Sequence, residues 1–163
     1  MPIPEELILP PDRLPELGPG VPNSALRHAI ALFDRRTVPN PALAAAAHSA
    51  LWLVHDFLDE SHEISQALET PTGSLLHAIM HRREPDAWNS KYWWRRVGTH
   101  PIFAPLAASA LALGYLDAGQ RWNPERFVDD VEAERGSGSE RESLLCRVQR
   151  AEFEHLLAFC FQT

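Results

Sequence analysis

From Asn23 onward the apolar positions recur at three- and four-residue intervals, and short polar punctuation cuts them into segments. Asn23 or Ser24 can cap a helix running to about Arg36. Asn40-Pro41 supplies an N-cap and a first-turn proline for a longer one, Ala42 to about Leu68. Thr70-Pro-Thr-Gly-Ser opens the next, to about Arg83, and Pro85-Asp86 starts another that Gly98 can end. Thr99-His-Pro precedes a helix to about Leu116, Asn123-Pro124 repeats the cap-plus-proline device, and the turn 136-GSGSE leads into a last helix to about Phe161. No alternating apolar–polar run reaches strand length. The expected class is all-α: a compact bundle or short superhelical stack of about six to seven helices, in a single domain over residues 1–163.

The first 22 residues break this pattern. They hold seven of the chain's 14 prolines, with Leu7, Ile8, Leu9, Leu14 and Leu17 between them. Proline excludes a long helix there, and the leucines predict an extended arm packed across the domain.

Projected as one helix, Ala42–Leu68 gathers Leu53, Val54, Phe57, Leu58, Ile64 and Leu68 on one side. The opposite side carries His48, His55, Asp59, His62 and Gln66 in a narrow stripe, with Trp52 at its edge. A solvated face is the plain alternative, but such faces are built from Glu, Lys and Arg, and residues 48–68 contain neither Lys nor Arg. His55, Asp59 and His62 follow the i, i+4, i+7 spacing that lets three side chains meet one ion. His77 and His81 repeat the i, i+4 spacing on the next helix. These five residues are the candidate ligands of a divalent metal. His77 and His81 lie away from Leu75, Leu76, Ile79 and Met80, so they reach the stripe only if their helix is covered on both sides.

The segment from Asp86 to Gly98 mixes aromatic and cationic groups. Ser90, Trp93, Trp94 and Val97 turn inward; Trp88, Lys91 and Arg95 share one outer face, and Asn89, Tyr92 and Arg96 another. Rings flanked by arginine can hold a planar or anionic group, or they can simply anchor the core while the arginines pair with carboxylates. Arg83 projects toward the apolar side of its helix and so requires a carboxylate partner. Thr70-Pro-Thr-Gly-Ser reads as a cap, with an anion at the helix start as the alternative. His28, His100 and His155 read as caps or surface residues.

Composition narrows the partners. A net charge of −7 argues against nucleic acid. The longest apolar tract, about Ala42–Val54, is too short for a membrane span, and the N-terminus lacks the features of a signal peptide, which places the protein in the cytoplasm. Cys146 and Cys160, on one predicted helix, lie about 21 Å apart along its axis and are read as reduced thiols. A homo-oligomer is compatible with all of this.

The run Thr70-Pro-Thr-Gly-Ser-x₂-His-x₃-His-Arg-Arg-Glu-Pro-Asp-x₂-Asn-x-Lys-Tyr-Trp-x-Arg-Arg-Val-Gly resembles the signature of an uncharacterised microbial protein family, over roughly residues 50–102. Asn89–Gly98 is similar to the second helix of a tetratricopeptide-type repeat, seen once without its period. Neither resemblance implies an activity. The residues themselves lead to an expected pocket for a small anionic, phosphate- or carboxylate-bearing molecule, with a divalent metal as cofactor. His62, His77, Arg82, Arg83, Lys91, Arg95 and Arg96 would bind the ligand. His55, Asp59 and His81 would carry any acid–base chemistry. The rival expectation is a non-catalytic helical module for protein–protein interaction.

Overall fold

The computed structural model describes residues 3–162. Eight α-helices make up the described fold, linked by turns and four short 3₁₀ segments, and no strand occurs among the described residues. They are α1 (Arg27–Ala31), α2 (Ala44–Val54), α3 (Leu58–Ser65), α4 (Pro71–Arg83), α5 (Ala87–Val97), α6 (Phe103–Ala112), α7 (Pro124–Glu134) and α8 (Glu140–Cys160). The all-α expectation holds, with one helix more than the upper expected number.

Side-chain caps account for half of the α-helix starts. Thr70 Oγ1 accepts from the Gly73 N–H, Asp86 from Asn89, Asn123 from Arg126 and Ser139 from Glu142. The predicted 24–36 helix survives only as α1, flanked by 3₁₀ turns.

The long helix over 42–68 does not exist. The chain breaks at Asp56, whose φ of 69° is left-handed, and His55 gives up its carbonyl to the Asn23 N–H at 3.1 Å. A helix cannot propagate through that residue. The break turns α3 away from α2, so the histidine stripe read from a continuous helix is divided at its middle.

Two helices are central. Nine of the eleven residues of α2 are buried, and eleven of the thirteen of α4. A helix buried all round must satisfy whatever polar groups it carries, because unpaired polar atoms inside cost about 1–3 kcal/mol each. One core cluster gathers α2 and α4 with Trp94, Phe153 and the arm leucines Leu7 and Leu9; a second gathers Leu17, Leu106, Tyr115, Trp122, Phe127 and Leu145.

The N-terminal arm packs across the domain and contains one 3₁₀ turn, Glu5–Leu7. Its prolines lack an N–H, so its carbonyls must find donors elsewhere. Side chains supply them. His55 Nε2 donates to the Leu7 carbonyl at 3.0 Å, Gln149 Nε2 to Glu16 at 2.8 Å, Arg150 Nη1 to Pro10 at 2.7 Å, and Arg83 Nε to Gly18 at 3.1 Å.

Candidate functional site

α4 packs between α3 and α5, and the break at Asp56 is what brings α3 alongside it. Because α4 is covered on both sides, the face carrying His77 and His81 is enclosed, which is the condition the sequence set. His62 of α3 and His77 and His81 of α4 place one ring nitrogen each within 4.8 Å of one another. His62 Nε2 lies 3.0 Å from His77 Nε2. Around a tetrahedral ion with nitrogen ligands at about 2.0–2.1 Å, two donor atoms are separated by about 3.3 Å. The closest pair already has nearly that spacing, and the third ring needs a shift of side-chain size.

The protonation state suits the same chemistry. Burial pushes His77 down to about 3, with the neighbouring His81 and His62 adding to the effect. Burial also lowers His81, against the opposing pull of Glu84. Both rings are therefore neutral near pH 7 and keep a lone pair for an ion. Their packing limits how they turn: Trp93 stacks on His77 with centroids 4.0 Å apart, and His77 stacks on His81 at 4.8 Å.

The outer nitrogens are incompletely served. Nδ1 of His77 is buried with no hydrogen-bond partner among the described residues. Nδ1 of His81 lies 3.2 Å from Glu84 Oε2, but outside hydrogen-bond geometry. A carboxylate at the outer nitrogen is the arrangement that orients a metal-ligating imidazole.

The remaining candidates lie elsewhere. His55 is fully buried and turned to the arm, and burial lowers its basicity. His48, from the same stripe, accepts from Arg35 and contacts the Ile30 carbonyl at 2.8 Å. Asp59 is exposed, on the lip of a cavity of about 540 Å³ that it shares with Asp56, Glu60, Glu84, Asp86 and Arg27. Neither His55 nor Asp59 is among the clustered side chains, because a straight helix was the premise for adding them to His62.

The cations divide sharply. Arg82, fully buried, pairs with Glu152 and Gln149 of α8 and lies 4.7 Å over the Phe127 ring. Arg83, also fully buried, pairs with Asp56, as its position required, and donates to the Leu53 and Gly18 carbonyls. Lys91 pairs with Asp129 and Arg95 with Glu125 on the surface. Arg96 has no carboxylate partner among the described residues; it lies 5.2 Å over Trp93.

Sequence reasoning missed two features. Glu152 sits between Leu145, Val148 and Leu156 on the buried face of α8, where an acid demands a buried cation; that spacing was readable. His100 is buried, not superficial. Its Nδ1 accepts from the Ile102 N–H at 3.4 Å, so Nε2 carries the proton toward Thr72 Oγ1 at 3.1 Å, and burial pushes its pKa down to about 4.

No family model, curated protein or solved structure matches the chain.

Proposed function

We propose that the protein binds a divalent transition metal, of the zinc class, through His62, His77 and His81, and offers the remaining coordination position to a small anionic molecule or water. The single observation that carries the reading is the convergence of three imidazoles from two helices within 4.8 Å, two of them held neutral by burial. Three imidazole ligands with one open position favour zinc, copper, iron or nickel over magnesium or calcium, which prefer oxygen. Any acid–base role would fall to a group beside the ion, and Glu84, with Oε2 3.2 Å from His81 Nδ1, is a carboxylate so placed.

The test is zinc and cobalt titration of chelator-treated protein by calorimetry and visible absorption. One equivalent of zinc should bind, cobalt should give tetrahedral bands, and His62→Ala and His77→Ala should each abolish both. At a hundredfold excess over Kd the ion adds about 2.7 kcal/mol to stability. Absence of saturable binding in the wild-type protein would sink the proposal.

One observation favours a second reading. Trp88 is 76% exposed and stacks with the 43% exposed Tyr92 at 6.2 Å, a solvent-facing aromatic pair of the kind found at protein–protein contacts. It lies on the outer face of α5, so an interaction surface there and the metal site are compatible.

A further inference from the structure

We infer that the cavity at the start of α4 is an oxyanion subsite, in which Arg96 and Ser74 hold the carboxylate or phosphate of a small ligand. The inference deepens the metal reading and rests on it for the rest of the ligand, since Trp93 forms the wall common to both: it stacks on His77 at 4.0 Å and lines this cavity.

The cavity has a volume of about 480 Å³, within the range of small-molecule pockets. Three independent features give it an affinity for negative charge. Arg96 is the first. Where Arg82, Arg83 and Arg95 have carboxylates, Arg96 has none among the described residues. Its guanidinium lies over the rings of Trp93 and Tyr92, 5.2 and 5.8 Å from their centroids, with Nη1 3.5 Å from the Tyr92 hydroxyl. Stacking fixes the plane of the fork while its edge stays available for a bidentate oxyanion.

Ser74 is the second. It is only 7% exposed, lines the cavity, and its hydroxyl makes no hydrogen bond among the described residues. Its N–H bonds the Thr70 carbonyl at 2.9 Å, while the side-chain hydroxyl is left to the cavity. A hydroxyl that opens onto the cavity with no protein partner among the described residues is free to bond a guest there.

The third is the helix itself. Thr70, Pro71 and Ser74 put the cavity at the first turn of a 13-residue helix, where the backbone dipole presents partial positive charge. Glu69, also on the lining, is exposed and opposes an anion, which confines the guest to the Arg96–Ser74 side.

The experiment uses full-length protein stripped of metal, titrated separately with inorganic phosphate and with acetate and followed by amide NMR shifts and calorimetry. Zinc-loaded protein is titrated with acetate alone, since zinc phosphate precipitates. Saturable shifts at Ser74, Trp93 and Arg96 are expected with at least one anion, and whichever binds more tightly names the oxyanion. Arg96→Met should weaken binding by about tenfold and Ser74→Ala by several-fold, the scale of charge-assisted and neutral hydrogen bonds. Arg147→Met, removing another exposed charge, on α8, should leave binding within about twofold. No saturable anion binding, or equal binding by wild type and Arg96→Met, overturns the inference. Zinc binding that persists in that case leaves the metal site standing. Anion binding without zinc binding supports the subsite and overturns the metal.

Discussion

Replacing Arg83 with methionine separates an internal role for this arginine from a ligand-binding one. The guanidinium is fully buried and closes three elements at once: Nε to the Gly18 carbonyl at 3.1 Å, Nη1 to the Leu53 carbonyl at 3.0 Å, and Nη2 to Asp56. Methionine fills much of the volume but leaves the Gly18 carbonyl without its donor, the Leu53 carbonyl with the Asp56 N–H alone, and a 6% exposed aspartate with Arg13 as its remaining cation. Removing one member of a buried ion pair costs roughly 3–5 kcal/mol. Retention of Arg13 and the second lone pairs of the carbonyls put the expectation near the lower end, about 3 kcal/mol. In a domain of this size that is a fall of roughly 6–12 °C in Tm. Urea unfolding followed by tryptophan fluorescence and far-ultraviolet circular dichroism should show a lower midpoint at constant m. Arg83→Met with Asp56→Asn should recover part of the loss, since neutralising the orphaned carboxylate removes its desolvation penalty. A loss under about 1 kcal/mol, the value of a surface pair, would refute the assignment. Loss of anion binding with stability intact would make Arg83 a ligand contact instead.

Acid should destabilise the protein in the window set by its buried histidines. His77 lies at about 3 in the fold against 6.5 when exposed, so the unfolded chain takes up a proton that the folded one refuses. Its contribution is complete above about pH 6.5 and falls by about 1.4 kcal/mol per pH unit toward 3. His77→Gln should flatten the dependence of the urea midpoint between pH 6 and 4, and an unchanged slope would count against a neutral His77. Gly73→Ala should destabilise despite the better helix propensity of alanine, by about 1–3 kcal/mol in thermal unfolding, because the new Cβ would overlap the Leu68 side chain and carbonyl. Cys160, fully buried and pushed up to about 12 by that burial, should react with a thiol reagent only at the rate of unfolding, while half-buried Cys146 reacts in the native state.

Much of the candidate site was written in local spacing. The i, i+4 pair His77 and His81 needs only a helix, and Thr70-Pro71 and Asp86 fix where α4 and α5 begin. Arg83 on the apolar side announced a buried carboxylate, and Asp56 is that residue. What failed was the continuation of a pattern through a residue that breaks it. Residues 42–68 contain no proline or glycine to mark a stop, and aspartate tolerates left-handed backbone without demanding it. The arm and Asn23 compete for the last turn of α2, with the His55 side chain bonded to Leu7 and its carbonyl to Asn23, and that competition is not a property of the segment.

By itself, then, the amino-acid order determined the helical class, the caps, the proline-rich arm and which polar groups would sit on awkward faces, since each depends on residues within a few turns of one another. Tertiary structure alone decided which of those groups meet. His62 joins His77 and His81 only because α3 swings beside α4. Arg82 finds Glu152 seventy positions away, and Arg96 is left without a carboxylate among the described residues. Pairing across such distances follows from how buried faces choose partners, a choice made by the whole core at once and encoded in no single stretch of chain.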